Sequence, residues 1–332
     1  MRVLVTGAGG FLGRHIVAAL RRDGHVVRAL QLPNSDVSGL GWDESVDIVY
    51  ADLLESPNLA DALCGVDAVI HLAMKMIGDD EELIRHAVEG SRRLLDAMKT
   101  SSCRRIVLAS SFSVYDWSRI RRTVHENSPL LDEYSARQAD GYARAKLQQE
   151  LLVRQKCEEH GFQLTVLRPA SIWGSGRMPM AVMGQMAGPF ALLFAPCAAM
   201  KFTYVENCAD LFVQALERPE TIGATINVAD SDRITVWRVY QEHRRRSGGG
   251  FPLPVPYWIG KLTAWLASAI NRYLLRDKLT LPGILHPRRF EARFKPVSCD
   301  NDRMHRLLKW NALYVFDRAL TRAYLQGASR RL

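Results

Sequence analysis

Short apolar runs recur through the first half of the chain, and each is followed by a longer segment with helical spacing. The runs cover Val3–Val5, Val26–Leu30, Asp47–Tyr50, Ala68–His71, Arg105–Ala109 and Gln163–Leu167. Runs this short and rich in valine, isoleucine and leucine predict buried strands, and the segments between them predict helices. Regular alternation of the two predicts an α/β fold built on a doubly wound parallel sheet.

The alternation breaks at about Gly174, where the sequence becomes rich in Met, Pro and Ala. A strand-like run returns at Ala224–Val228. We therefore predict a sheet domain over residues 1–173, with further sheet elements returning from about 200–230. Residues 174–332 should mainly form a smaller C-terminal lobe, partly interleaved with the sheet.

One segment of this lobe carries large apolar residues at helical spacing. They are Trp258, Leu262, Trp265, Leu266 and Ile270. Lys261 and Arg272 interrupt the segment, so it does not predict a membrane span. Packing in the core or lid of the lobe is the main expectation, and a wall for an apolar substrate or a weak peripheral membrane contact are the alternatives.

Composition and charge narrow the class of protein. A chain of 332 residues with 48% hydrophobic residues can bury a full core. The formal net charge of +9 suits a nucleic-acid-binding protein, but the cations are scattered, and the densest run, His243–Arg246, precedes a glycine-rich stretch typical of a solvated loop. We therefore expect no nucleic-acid partner.

The six cysteines lack the paired spacing of metal ligands, and no signal peptide precedes the first predicted strand. We expect no metal, no disulfide and a cytoplasmic location, where thiols stay reduced.

Three glycines, Gly7, Gly10 and Gly13, follow the first predicted strand and open a predicted helix. Glycine lets the chain turn tightly and approach a pyrophosphate, whose charge is stabilised by free N–H groups at the helix N-terminus. In the common dinucleotide fingerprint the third glycine would stand at position 12, which is Leu12 here. The segment thus predicts a phosphate site of wider glycine spacing.

Tyr142 and Lys146 lie four residues apart, on one face of a predicted helix. A tyrosine has an ordinary pKa of about 10, so acid–base chemistry requires a stabilised phenolate. The charge of Lys146 favours that form.

The glycine spacing together with Tyr142-x-x-x-Lys146 resembles the extended short-chain dehydrogenase/reductase family of NAD(P)-dependent sugar epimerases, dehydratases and reductases. The resemblance implies a Rossmann-like NAD(P)-binding domain and a substrate-binding lobe. It also implies that Tyr142 and Lys146 are catalytic, together with Ser111, which stands where the family carries its catalytic Ser or Thr.

The resemblance also implies a set of cofactor-binding residues. They are Gly7, Gly10, Phe11, Leu12, Gly13, Gln31, Asp52, Leu53, Leu72, Ala73, Tyr142, Lys146, Pro169 and Ser171. Gln31 stands where NAD-preferring relatives carry an acid for the ribose 2′-hydroxyl. A 2′-phosphate would therefore not be repelled, and Arg14 or Arg28 could reach it, so NAD and NADP are both retained.

The two residues after Ser111 discriminate among reactions. Relatives that eliminate water carry an Asp-Glu pair where this chain has Phe112 and Ser113, and those that epimerise beside a ketone commonly have a cysteine at the position of Ser113. Hydride transfer at one carbinol or ketone carbon remains, either in an epimerase or as net reduction or oxidation. The leading substrate is a nucleotide-linked sugar.

Two other functions stay open. Asn207 stands where sugar enzymes more often carry Asp and resembles hydroxysteroid dehydrogenase relatives, which favours an apolar alcohol or ketone. A non-catalytic NAD(P)-binding regulatory protein is the third hypothesis, against which the Ser111, Tyr142 and Lys146 set argues. Relatives often form homodimers through a four-helix bundle that includes the helix of Tyr142, and the apolar residues of this helix would permit one here.

Overall fold

The computed structural model describes residues 1–57, 59–178, 180–276, 278–279 and 281–329. The strands are β1 (Arg2–Thr6), β2 (Val26–Gln31), β3 (Val46–Tyr50), β4 (Ala68–His71), β5 (Arg105–Ala109), β6 (Thr123–Val124), β7 (Gln163–Pro169), β8 (Ser171–Trp173), β9 (Gly184–Ala187), β10 (Phe190–Phe194), β11 (Phe202–Tyr204), β12 (Thr225–Val228), β13 (Phe251–Val255) and β14 (Ser298–Cys299). The helices are α1 (Phe11–Arg22), α2 (Leu59–Ala62), α3 (Asp80–Lys99), α4 (Glu133–Gln138), α5 (Gly141–His160), α6 (Val205–Glu217), α7 (Val236–Ser247), α8 (Tyr257–Tyr273), α9 (Pro287–Phe294), α10 (Asp302–Leu308) and α11 (Phe316–Ser329).

Seven parallel strands form the central sheet, in the order β12-β7-β5-β4-β1-β2-β3. The chain runs outward from β1 to β3 and then returns to the other side of β1 to continue with β4. This doubly wound, Rossmann-like topology confirms the predicted fold class. In such sheets a ligand binds beyond the carboxyl ends of the strands at the point where the strand order reverses, here between β1 and β4.

Both faces of the sheet are buried, which explains why its strands are nearly continuous apolar runs. Val3 and Val5 of β1 pack with α1 and α6, whereas Leu4, between them, packs on the opposite face with α3 and α5. The two-residue period of a strand sends alternate side chains to opposite layers. The register of each strand is therefore set by two cores at once.

A smaller three-stranded sheet, β13-β10-β9, lies in the C-terminal part of the chain with α8 and α9. Phe194, Phe290 and Phe294 pack together there at ring-centroid distances of 4.8–5.1 Å. α8 approaches this cluster closely at Gly260, where a Cβ atom would lie 2.8 Å from the ring of Phe194.

Two expectations for this part of the chain are wrong. The segment with Trp258 and Trp265 is a helix, but its large apolar residues are exposed rather than packed in a core. The run His243–Arg246 lies in the last turns of α7 rather than in a loop, and Arg245 and Arg246 there pair with Glu242. Charge pairing one helical turn apart stabilises this basic stretch as helix.

We predict that Gly13→Ala destabilises the sheet domain. A Cβ atom at this position would overlap the carbonyl oxygen of Gly7 and lie 2.7 Å from that of Ala8. Because both are backbone atoms, α1 would have to shift, at a cost of about 1–3 kcal/mol. Urea unfolding monitored by circular dichroism should show a lower midpoint. Gly39→Ala, where a Cβ meets nothing within 4 Å, is the matched control. Equal midpoints for the two variants would contradict the role given to Gly13.

Candidate active site

The turn between β1 and α1 is shaped by its glycines. Gly7 has φ +70°, and its carbonyl oxygen accepts a hydrogen bond from the N–H of Gly10 at 3.1 Å. Gly10 precedes α1 without a side-chain cap, so the first turn of the helix directs its N–H groups into the space above the turn. Such an N-terminus is suited to an anionic phosphate.

A cleft with a free volume of about 400 Å³ opens beside this turn. Of the predicted cofactor residues, it is lined by Gly7, Gly10, Gln31, Asp52, Leu53 and Ala73. The cleft lies at the carboxyl ends of the strands, where the strand order reverses. Gly7, Gly9 and Gly10 form the part of its lining that belongs to the turn.

Gln31 and Gly9 show that the residues of the cleft fit a dinucleotide. Gln31 is buried, and its Nε2 lacks a hydrogen-bond partner among the described residues. A buried unpaired donor is costly, and a ribose hydroxyl would satisfy it. A Cβ atom at Gly9 would lie 2.8 Å from Oε1 of Gln31, so the space between turn and glutamine stays open only because position 9 is glycine.

The remaining predicted cofactor residues lie outside the lining of this cleft. Gly13 lies under the turn, and Leu12 packs against the core. The N–H of Leu72 donates to Thr6, which connects the ends of β1 and β4. Pro169 ends β7, and Ser171 lines a different cavity, described below.

Phe11 lies between two cations, with Arg14 and Arg177 at 5.5 and 5.3 Å from its ring centroid. Arg28, which the sequence offered for a 2′-phosphate, is held elsewhere. Its Nε lies 2.6 Å from Asp47, and Nη1 donates to the carbonyl oxygen of Cys64 at 2.9 Å. The neighbouring strand carries this aspartate in direct register, so we withdraw Arg28 as a cofactor residue.

Ser111 and Tyr142 come together through their side chains. Ser111 follows β5 and accepts a hydrogen bond from the N–H of Ser113 at 3.1 Å. Asp140 caps α5 by accepting from the N–H of Ala143 at 2.8 Å, which places Tyr142 in the first turn. Burial raises the pKa of Tyr142, whereas its hydrogen bond with Ser111 and the charge of Arg177 lower it.

Lys146 lies one turn further along α5, buried beneath this pair. Its Nζ donates to the carbonyl oxygen of Ala109 at 2.7 Å and to Oε1 of Gln149 at 3.0 Å. Burial lowers the pKa of Lys146 to about 8, against the opposing charge of Glu150. The cation that lowers the pKa of Tyr142 is Arg177, a residue that the sequence analysis missed, and not Lys146 as expected.

Gln149 connects Lys146 to a chain of buried polar groups. Its Nε2 lies 3.0 Å from Ser91 and 3.3 Å from His71, and the His71 ring also lies 2.7 Å from Thr6. Burial lowers the pKa of His71 to about 3, so the ring is neutral. The sequence analysis did not identify Gln149, although it lies on the same helical face as Lys146, three residues later.

An apolar cavity opens beside Ser111. Its free volume is about 80 Å³, below the roughly 300–1,000 Å³ common for ligand pockets, so a large ligand would have to displace side chains of its walls. It is lined by Phe112, Trp117, Ser171, Val182, Phe194, Ala195, Ala198, Ala199, Met200, Lys201, Val236, Ala292, Arg293 and Phe294. Ser171, predicted to flank the nicotinamide, thus lies at the border of this cavity.

Lys201 is the most deeply buried cation of this lining. Its Nζ donates to the carbonyl oxygen of Lys295 at 2.8 Å and lies 5.4 Å from the ring centroid of Trp117. Burial lowers the pKa of Lys201 to about 8. The side chain is therefore close to losing its charge at physiological pH.

A smaller cavity shares Trp117 and Ala292 with the apolar one. Ser113 lines it, and its buried Oγ has no hydrogen-bond partner among the described residues. Arg288 of α9 crosses its mouth to Asp116, at 3.2 Å. This ion pair connects α9 to the loop that follows Ser111.

Asn207 anchors the C-terminal segment. Its Nδ2 donates to the carbonyl oxygen of Tyr314 at 2.9 Å, and its Oδ1 accepts from the N–H of Tyr314 at 3.0 Å. Because the amide uses both ends on the backbone, Asn207 here serves the fold.

The profile described as "NAD dependent epimerase/dehydratase family" matches residues 3–229. Cinnamoyl-CoA reductase 1 of Oryza sativa subsp. japonica is 26% identical over 282 residues, 77% of this chain and 81% of that protein. Sterol demethylase protein B of Methylococcus capsulatus is 32% identical over 285 residues, 82% of this chain and 83% of that protein.

Among solved structures, UDP-glucuronic acid 4-epimerase from Bacillus cereus in complex with NAD superposes with a TM-score of 0.73 at 19% identity, over 100% of both chains. At that identity the likeness concerns the fold. The profile match covers well over half of the chain, and it agrees with the Rossmann-like sheet, the glycine turn and the cleft beside that turn. The chain belongs to the NAD dependent epimerase/dehydratase family and is an NAD(P)-dependent enzyme of the extended short-chain dehydrogenase/reductase type.

Proposed function

We propose that this enzyme is a dehydrogenase or reductase for a large apolar alcohol or ketone of the sterol class. The observation that carries the proposal is the apolar lining of the cavity beside Ser111, to which Phe112, Trp117, Phe194 and Phe294 contribute. Aromatic walls of this kind bind a rigid hydrocarbon by excluding water from it. Similarity to sterol demethylase protein B over most of both chains supports the same class.

A nucleotide-linked sugar is the second candidate substrate. The sequence analysis placed it first, ahead of an apolar alcohol or ketone. Two cations, Lys201 and Arg293, line the cavity and would suit a diphosphate. However, burial lowers the pKa of Lys201 to about 8, and its Nζ already donates to a backbone carbonyl. The walls offer few other polar groups for a sugar.

Ser111 and Tyr142 would carry the proton chemistry at the substrate oxygen. The Ser111 side chain lies close enough to Tyr142 to lower its pKa, which places the two hydroxyl groups near each other at the end of β5. In the reductive direction Tyr142 donates its proton to the substrate oxygen, while Ser111 holds that oxygen in place. The bound nicotinamide supplies or accepts the hydride. Because burial raises the pKa of Tyr142, the phenol stays protonated at neutral pH and is ready to donate.

Arg177 and Ser111, which lower the pKa of Tyr142, would stabilise the phenolate left on it. Lys146 would bind the ribose beside the nicotinamide. Its ammonium group is held from below by Ala109 and Gln149, which use two of its three protons. One proton remains for a ligand hydroxyl. Gln149 is therefore a positioning residue, because it acts through Lys146.

A substrate panel tests the proposed function. The purified enzyme is given NAD⁺ or NADP⁺ with a 3β-hydroxysterol in cyclodextrin, or with UDP-glucose and UDP-glucuronic acid, and reduced nicotinamide and sugar isomers are measured. We expect oxidation of the sterol. Tyr142→Phe should lower this turnover about 10²-fold or more, because it removes the acid–base group, and leave cofactor affinity within about twofold.

Tyr134→Phe is the matched control, since this tyrosine is 67% exposed on α4 and should keep full turnover. Turnover confined to the UDP-sugars would transfer the assignment to the second candidate. Unchanged sterol turnover in Tyr142→Phe would remove Tyr142 from the mechanism.

Replacing Gln149 tests the support of Lys146. Gln149→Leu removes an acceptor from the ammonium group, so the pKa of Lys146 should fall and NAD(P)H should bind more weakly, by about three- to tenfold. Titration of nicotinamide fluorescence measures the affinity. Gln148→Leu, on the exposed side of the same helix, should bind as the wild type does. Equal affinity of the two variants would contradict the positioning role.

The pH profile of ketone reduction gives a further prediction. We expect kcat/KM to fall as pH rises through about 8, where Lys146 loses its proton and its hold on the ribose weakens. Tyr142, with its raised pKa, should not limit the reaction in this range. In Gln149→Leu the fall should begin at lower pH. A wild-type profile that is flat to pH 10 would contradict the role of Lys146.

A further inference from the structure

Helix α8 exposes its large apolar side chains. Trp258 is 65% exposed, Trp265 58% and Tyr273 76%, and aliphatic residues lie between them. The exposed apolar residues of the helix and the turn after it are Trp258, Ile259, Leu262, Trp265, Leu266, Ile270, Tyr273, Leu274 and Leu275. We call this set the α8 face. At 3.6 residues per turn, most of its helical members fall on one side.

The opposite side of α8 is made of small or polar residues. Gly260, Ala264 and Asn271 are its buried positions, and Asn271 donates to the carbonyl oxygen of Leu279 at 3.0 Å. An ordinary surface helix turns its large apolar residues inward, because their burial drives packing. α8 does the reverse, so its apolar side is left for a surface outside the described chain.

Charge along α8 favours a negatively charged partner. The helix has no acidic residue within 257–273, and Asp277 is the one acidic residue in the segment 274–280 that follows. Arg272, Arg276 and Lys278 are exposed at its C-terminal end, whereas Lys261 pairs with Glu291 of α9 at 2.7 Å. Because Lys261 is paired, the cations next to the α8 face are Arg272, Arg276 and Lys278, near Tyr273 and Leu274.

We propose that the α8 face docks the enzyme on the surface of a lipid bilayer that contains anionic lipids. Tryptophan and tyrosine prefer the boundary between headgroups and acyl chains, and they lie at both ends of this face. Leucine and isoleucine would enter the acyl region, and the cations would contact lipid phosphates. This mode is interfacial: no described helix is long and apolar enough to cross a membrane.

The proposal does not depend on the proposed substrate. A second copy of the chain is the other obvious occupant of an apolar face, but both copies would bring Arg272, Arg276 and Lys278 to the same contact. Like charges at a buried interface are unfavourable, whereas a bilayer with anionic headgroups neutralises them.

Vesicle sedimentation of the full chain tests the proposal. Vesicles of phosphatidylcholine alone, and of phosphatidylcholine mixed with phosphatidylglycerol, are spun with the protein at low salt. The wild type should pellet with the mixed vesicles. The double variant Leu262→Ser/Trp265→Ser should partition at least about tenfold less, because it removes two membrane-entering side chains. Arg272→Gln and Lys278→Gln should each weaken binding about fivefold, with anionic vesicles only.

Leu151→Ser, at an exposed leucine of α5 away from α8, is the matched control and should pellet as the wild type does. Because all these positions are exposed, urea midpoints should match the wild type, and unfolding cannot account for lost binding. A wild type that stays in solution with both vesicles overturns the proposal, as does equal binding of the double variant. A dimer in light scattering that the double variant abolishes, without vesicle binding, assigns the face to a second copy instead.

Discussion

The ion pair between Glu150 and Arg168 is the contact on which the arrangement of the site depends. The two side chains are 0% and 4% exposed and approach to 2.6 Å. Although burial opposes its ionisation, the pKa of Glu150 lies below the ordinary value because Arg168 donates to both carboxylate oxygens. Loss of Glu150 would leave the buried Arg168 without a carboxylate, which costs about 3–5 kcal/mol, whereas loss of Arg168 would still leave Glu150 paired with Arg154 at 2.8 Å.

This pair joins the three elements that carry the proposed chemistry. Glu150 lies on α5, two turns beyond Tyr142, and Arg168 lies on β7. Ser110, at the end of β5, donates to Glu150 at 2.5 Å and immediately precedes Ser111. Movement of α5 along the sheet would break this network. The buried charges thus hold two hydroxyl groups in register, which is the preorganisation that proton transfer requires.

Most of the sheet could be predicted from sequence, because a strand buried on both faces needs an unbroken apolar run. The observed bounds of β4 and β5 are those of the predicted runs. The side on which α8 packs could not be predicted. The periodicity of the sequence shows that the helix has an apolar side. In the structure Gly260 packs against the phenylalanine cluster, so the apolar side of the helix faces away from it. The sequence analysis offered Arg28 for a 2′-phosphate because it could not show that Asp47 becomes its neighbour when β2 and β3 pair.

The parts of the candidate site that depend on local chain geometry could be predicted from the sequence. The contacts that its side chains make through space could not. Gly7, Gly10 and Gly13 are required by the turn itself, so their spacing is visible in sequence. Gln149 and Arg177 act through space on Lys146 and Tyr142. No spacing rule separates Gln149 from Gln148, although one is buried and the other exposed. The difference in burial depends on which side of α5 faces the sheet.

The apolar cavity and helix α8 share the side chain of Phe194. Phe194 lines the cavity and lies beneath Gly260 on the inner side of α8, and Phe294, packed at 4.8 Å from it, lines the cavity as well. An apolar alcohol dissolves in a bilayer far better than in water. A helix that rests on the bilayer would bring this cavity close to where such a substrate concentrates. A nucleotide-linked sugar has no such need, so the position of α8 over the cavity favours the apolar substrate.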